Sequence, residues 1–436
     1  MPRPFNLINL RGINNSSFIK RSSSANEGYE IVTLENGLRL IHRPAPHSEV
    51  VHCGLVINAG SRDEDPLNNG VAHFIEHTVF KGTKKRQSHH ILKRIENVGG
   101  ELNAFTTREK TCYYTSSLAP HASRSVELLS DIVFDSTFPE KEIAKEKRVI
   151  LEEIDMYEDS PEESIYDDFY TRIFSGHPLG YNILGTRETV NGLSREVIND
   201  FIAAKYVPEN IALSIVGGIS VKSAERLARQ FLSNIFRPSG SGTRKSPVTA
   251  PRFEDNETKD FVQTHCMMGS RAYGRHEPQR FALSLLNNIL GGSGMSSRLN
   301  MAVREKHALT YGIGSHYSTY DDAGVFSIYF SCDKKNLQRC IDISKKELKK
   351  LCGASLTDRQ VNTAKQQLLG QMAMSVENNS VHMQYQARSI LDHGYVKTFK
   401  DYAEGIEHIS KEDLVAVANE VLDPDKLSVL VYKSEK

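Results

Sequence analysis

The sequence predicts an α+β protein made of two homologous domains, each an antiparallel-rich sheet packed against helices. Three observations carry this. The second half repeats the first: Ser194-Arg-Glu-Val-Ile through Pro208-Glu-Asn-Ile-Ala-Leu-Ser-Ile-Val matches Ser410-Lys-Glu-Asp-Leu through Pro424-Asp-Lys-Leu-Ser-Val-Leu-Val, with the same Ser-to-Pro spacing. Between the halves lies Pro238-Ser-Gly-Ser-Gly-Thr-Arg-Lys-Ser-Pro247, a composition that reads as a linker. And 436 residues is long for a single compact core. The expected division is a first domain at 29–237, a linker at 238–254 and a second domain at 255–436.

Composition narrows the function classes. With 54 basic and 54 acidic residues the net charge is zero, which gives no footprint for nucleic acid. The six cysteines include no Cys-x-x-Cys pair, so reduced core thiols are expected rather than a disulfide framework or a thiolate metal site. No apolar run is long enough for a membrane span. Residues 1–28 read as a basic, disordered tail with Arg3, Arg11, Lys20, Arg21 and the serines Ser22–Ser24. A cytoplasmic location is expected, and the tail's weak likeness to an organelle transit segment makes the mitochondrial matrix the alternative.

Ordered sequence starts near Tyr29. Tyr29 to Leu34, Asn36-Gly37, then Leu38 to Arg43 reads as a β-hairpin, and Val50 to Asn58 as a third strand. A polar loop, 59–66, leads into Asn69-Gly-Val-Ala-His-Phe-Ile-Glu-His-Thr-Val-Phe-Lys-Gly-Thr83. As helix, this segment sets His73 and His77 one turn apart on one face, within reach of one metal ion. Glu76 leans over the same face, placed to touch water at the metal rather than to be a third ligand. His-x-x-Glu-His is the inverzincin order. A tetrahedral zinc site still needs a third protein ligand.

Further along, residues 89–98 read as helix, Leu102–Thr107 and Thr111–Leu118 as strands, and His121–Phe134 as an amphipathic helix. A long helix runs from Pro139 to about Asp159. On it Glu146, Ile150 and Glu153 share one apolar stripe. Two carboxylates there call for something positive opposite, and a zinc ion would answer that. Glu152 and Glu158 read as a solvated acidic face. Helix, strand and helix follow to Phe236. In the register of the repeat, the zinc helix corresponds to about Leu283–Leu290, which has neither His nor Glu. One copy holds the metal and the other has lost it.

These residues resemble the pitrilysin-type metallopeptidases, most closely the branch of the mitochondrial processing peptidase and its bacterial single-chain relatives. The likeness covers nearly the whole chain after residue 28. It is carried by His73-Phe-Ile-Glu-His77 with Phe80-Lys-Gly-Thr83, Gly99-Gly-Glu-Leu-Asn-Ala-Phe-Thr106, Lys147-Arg-Val-Ile-Leu-Glu-Glu-Ile154, His177-Pro-Leu-Gly180, Gly294-Met-Ser-Ser-Arg-Leu299, and Val303-Arg-Glu-Lys306 followed by Tyr311. The resemblance implies one Zn²⁺ per chain held by His73, His77 and Glu153, with Glu76 as the catalytic base and Glu146 as a second active-site carboxylate. It implies substrate-binding roles for Asn103 and Ala104 on an edge strand, and for Arg304 and Tyr311 in the second domain. It implies a zinc endopeptidase acting on short, unfolded or presequence-like peptides. The family encloses its substrate between two domain pairs, so a homodimer is expected. Only Gly291-Gly-Ser-Gly294 stands where the family's non-catalytic subunit has a long glycine-rich loop. A non-catalytic structural or chaperone-like member of the same fold is the competing reading, and four intact catalytic positions argue against it.

Overall fold

The protein is described here by a computed structural model covering residues 21–24, 28–238, 242–248, 250–353 and 356–435. The first sheet has seven strands: β1 (Arg21–Ser24), β2 (Tyr29–Thr33), β3 (Arg39–Pro44), β4 (Val50–Ile57), β5 (Glu101–Thr106), β6 (Thr111–Leu118) and β7 (Ile211–Gly217). Their order is β1-β2-β3-β7-β4-β6-β5. The second sheet holds β8 (Glu254–Lys259), β9 (Thr264–Ala272), β10 (Thr310–Thr319), β11 (Gly324–Cys332) and β12 (Ser428–Ser434), in the order β10-β11-β9-β12-β8. In each sheet one pair is parallel, β3 with β7 and β8 with β12, and the other pairs are antiparallel. Superimposing the parallel pairs maps β3-β7-β4-β6-β5 onto β8-β12-β9-β11-β10, so the duplication seen in the sequence is a duplication of topology. The edge strands β5 and β10 are equivalents.

The first half carries helices α1 (Val71–Thr78), α2 (Ser88–Glu96), α3 (Ala122–Phe134), α4 (Glu140–Asp159), α5 (Pro161–Ile173), α6 (Arg187–Gly192), α7 (Arg195–Lys205) and α8 (Val221–Leu232). The second carries α9 (Arg280–Gly291), α10 (Leu337–Cys352), α11 (Asp358–Val376), α12 (Asn379–His393), α13 (Phe399–Glu407) and α14 (Lys411–Val421). The expected partner of the zinc helix falls inside α9, directly after β9 as α1 follows β4 in the first copy. Among the described residues no helix is long and apolar enough to cross a membrane.

The division of the chain at 238–254 does not match the division in space. α5 belongs to the first half but packs on the second sheet, where Ile165, Phe169 and Tyr170 join Met267, Leu430 and Tyr432 in one buried cluster. In return α12 packs on the first sheet, with Ala387 and Ile390 against Ile41, Val56 and Ala212. Gln386 Nε2 donates to Ser214 Oγ at 2.9 Å, and Ser214 Oγ donates to Met383 O at 2.6 Å. Gly54 on β4 makes room for α12 here: a Cβ on it would stand 2.4 Å from Met383 Sδ. Helical periodicity shows that a helix has an apolar face, not which sheet that face covers.

Two further expectations need correction. Arg21–Ser24, inside the stretch expected to be a disordered tail, forms β1 and pairs with β2 from Arg21↔Val32 to Ser24↔Tyr29. Backbone pairing at a sheet edge needs no apolar side chains, so composition carries no sign of it. Residues 1–20 and 25–27 of that stretch lie outside the described residues. Nor is the described part of the linker a loose tether. Arg244 Nη2 donates to Asp63 Oδ2 at 2.7 Å, and Lys245 O accepts from Arg62 Nη2 at 2.8 Å.

Candidate metal centre

α1 begins after Gly70, whose φ of +95° lies in the left-handed region. A Cβ there would meet Leu184 O at 2.6 Å, so glycine is needed both for the turn and for the close approach of the 184–185 backbone. Val71, Ala72, Phe74 and Ile75 are buried, which leaves His73, Glu76 and His77 on the side turned to α4. α4 buries Ile143, Glu146, Ile150 and Ile154 along one stripe. Glu153 is half-buried at its edge, while Glu152 and Glu158 are exposed, as the helical spacing requires.

Three ligand atoms converge. His73 Nε2 is 3.8 Å and His77 Nε2 3.5 Å from Glu153 Oε2. The three side chains offer ligand atoms all within 4.8 Å of one another, and among the described residues they are the one such His/Cys/Asp/Glu group. A tetrahedral zinc ion with bonds near 2.1 Å sets its ligands about 3.4 Å apart, so these separations are of the size one ion would close. Glu153 Oε2 is buried and accepts no hydrogen bond, a costly state for a carboxylate oxygen unless a cation meets it. Burial, with His77 alongside, pushes His73 down to about 3, so it presents the neutral imidazole that a metal needs. The residues fit zinc.

Glu146 does not join the three. Its Oε1 is 3.0 Å from His77 Nδ1 and its Oε2 2.8 Å from Lys81 Nζ. The Glu146–His77 bond orients the ring so that Nε2 faces the cluster. Burial would raise the Glu146 carboxyl, but His77 and Lys81 outweigh it and hold it below its ordinary value. Glu76 stands beside the three ligands without belonging to them. Burial pushes its carboxyl above the usual range, the direction that suits a proton acceptor at neutral pH.

A cavity of about 500 Å³ opens beside His73, Glu76 and Glu153. Its walls come from both halves: Phe105 and Thr106 at the end of β5, Tyr157 on α4, Glu163 and Tyr166 on α5, and His316 and Ser318 on β10. A second hollow of about 330 Å³ borders Glu76, His77 and Glu146 on the other side, and Asn103 and Ala104 of β5 line it. Arg304 and Tyr311 line neither. Arg304 sits in a π-helical turn, Asn300–Glu305, with Nη1 3.4 Å from Asn300 Oδ1. Tyr311 is the second residue of β10 and is 87% exposed. It lies five residues, about 17 Å of strand, before His316, so within one chain this pair is not brought to the cavity. Of the wall residues not singled out from the sequence, Tyr157 had a signal, being one turn beyond Glu153. The alternation His316, Ser318, Tyr320 marks one face of a strand but not what that face looks onto.

The fold and the site together define a class: duplicated two-domain α+β proteins with a His, His, Glu metal cradle in one copy and none in the other. The chain belongs to peptidase family M16, the insulinase family: residues 39–187 match the family's peptidase domain, and residues 192–368 match its M16 inactive domain. It is 32% identical over 402 residues to the uncharacterized zinc protease YmxG of Bacillus subtilis, covering 92% of this chain and 98% of that one. A zinc protease of Mycobacterium leprae, also uncharacterized, is 32% identical over 410 residues, 93% of this chain and 92% of its own. The crystal structure of a protease from Helicobacter pylori shares the fold with a TM-score of 0.85 at 22% identity, covering 93% of this chain and 99% of that one.

Proposed function

We propose that the chain is a zinc-dependent endopeptidase that hydrolyses peptide bonds in short or unfolded peptides, presequence-like segments among them. The observation that carries this is the convergence of His73, His77 and Glu153 with Glu76 beside them, at the mouth of a cavity bordered by the free edge of β5. Zinc held there supplies Lewis acidity to a carbonyl and lowers the pKa of a water molecule. Glu76 takes the proton of the attacking water and delivers it to the departing amine. Glu146 acts through His77. A substrate in extended form adds to the edge of β5 near Asn103 and Ala104, held by backbone hydrogen bonds that ask little of its sequence. Glu163 in the cavity wall favours substrates carrying a basic side chain nearby.

The partner that best suits this site is a second copy of the chain. Arg304 and Tyr311 lie away from the chain's own cavity, and in a closed pair they would serve the partner's substrate. A cytoplasmic location is the simpler reading.

The test is metal analysis of purified protein together with cleavage of a quenched fluorescent peptide before and after chelation. Stoichiometric zinc, and activity lost with chelator and restored by zinc, are expected. A protein that retains full cleavage without metal overturns the proposal. For the pair, mixing Arg304→Ala with Glu76→Gln chains should restore part of the activity. A mixture no more active than its parents after verified subunit exchange removes the role across chains.

A further inference from the structure

We propose that Glu64 is a positioning residue for the metal centre: it clamps the start of α1 and thereby sets the face bearing His73, Glu76 and His77 against Glu153. The inference rests on the zinc reading above. α1 is only eight residues long, too short to hold its shape by its own hydrogen bonds. Its first N–H groups have no partner within the helix. Glu64 supplies one from the preceding loop. Its Oε1 accepts from Ala72 N at 2.8 Å, and its Oε2 accepts from Gly70 N and Asn69 Nδ2, each at 2.8 Å. The residue is 5% exposed; burial pushes its carboxyl up to about 8, while the N–H donors of Ala72, Asn69 and Gly70 pull the other way, as does the helix dipole, which favours a carboxylate at this end. Ala72 directly precedes His73, and a slip of one residue turns a helix by about 100°, enough to carry both imidazoles away from Glu153.

The two residues before Glu64 are anchored elsewhere. Arg62 pairs with Glu109 and with Asp322 of the second half, both at 2.7 Å. Asp63 pairs with Arg244 of the linker at 2.7 Å. Three consecutive charged side chains thus tie the second half, the linker and the zinc helix to one short loop. Glu64 touches neither the metal ligands nor the cavity, so its effect on the centre passes through the backbone of α1.

Glu64→Gln tests this. The amide keeps the size of the side chain but turns one acceptor into an NH₂ that must face an N–H donor whichever way it is flipped. The expected result is at least a tenfold loss of zinc affinity, measured by competition with a chromophoric chelator. The visible spectrum of the cobalt-substituted protein should also change, and kcat should fall while KM holds. Leu286→Ala in the second-domain core serves as the control for lost stability, with affinity and spectrum expected to stay at wild-type values. If Glu64→Gln fails to fold, Glu64→Asp keeps the carboxyl group but is one methylene too short to reach both Gly70 N and Ala72 N, and the same losses are expected. Wild-type affinity and spectrum in the folded Glu64 variant overturn the proposal, as does an equal loss in Leu286→Ala at matched Tm. A wild-type protein that takes up neither zinc nor cobalt overturns the zinc reading itself, a result distinct from the first.

Discussion

At the scale of single residues, the proposed ligands, base and supporting carboxylate differ in what each atom touches. Glu76 makes no part of the three-atom cradle, so Glu76→Gln should keep its zinc while turnover falls by roughly 10²–10⁴, the usual worth of a general base. Metal content and peptide cleavage on the same sample check both halves of that statement. Glu153→Gln should empty the site, whereas Glu152→Gln, changing an exposed group, should leave metal and activity in place. Emptying by the Glu152 variant alone would reverse the assignment. Glu146→Ala removes the acceptor for His77 Nδ1 and leaves Lys81 without its carboxylate, so zinc affinity should drop by about 10- to 100-fold without vanishing. Much of this was legible beforehand. The i, i+4 spacing of the histidines and the i, i+7 spacing of Glu146 and Glu153 fix faces on two helices, and the resemblance joined those faces. The support from Lys81 and the clamp at Glu64 were not legible, because they depend on how a loop and a helix end fold back in space.

At the scale of elements, much of the strand and helix placement in the first half followed from period and turn chemistry: Asn36-Gly37 for the hairpin, Pro139 for the start of α4, alternation for β5 and β6; α5, Pro161–Ile173, was not among the expected helices. What also escaped was the assignment of helices to sheets. α5 packs on the second sheet and α12 on the first, and the apolar period of a helix does not name the sheet its face covers. Gly54 opens a slot on β4 that Met383 of α12 fills. Gly54→Val should therefore lift α12 from the first sheet and cost about 1–3 kcal/mol of stability, read by denaturant unfolding. A variant as stable as the wild type would mean that α12 gains little from this slot. Arg304 and Tyr311 mark a different limit. Only the resemblance singled them out in the sequence, and within one chain's fold they line neither the cavity nor the hollow beside the metal centre.

At the scale of the whole molecule, the two halves are joined by buried charge as well as by exchanged helices. Glu109, 3% exposed, meets Arg62 at 2.7 Å and Arg275 at 2.9 Å, and Asp392 of α12 meets Lys110 at 2.6 Å and Arg275 at 2.9 Å. Burial pushes the Glu109 carboxyl up, but Arg275, Arg244 and Lys110 outweigh it and hold it at about 2, against an ordinary 4.5. A carboxyl depressed in the folded state stabilises the fold above the unfolded pKa, and that stability is lost as pH falls from about 4.5 toward 2. Glu109→Gln should flatten this acid limb by roughly 3 kcal/mol relative to wild type, measured as denaturant stability across that range. An unchanged limb would show that other carboxyls govern acid unfolding. The exchange of α5 and α12 has its own consequence. Each half wears a helix made by the other, so severing the chain does not separate the halves. A protease site placed between residues 238 and 242 and then cut should yield two fragments that travel together through size-exclusion chromatography and part only in denaturant. Expressed singly, either fragment would present a bare sheet to the solvent and be a ready client for chaperones.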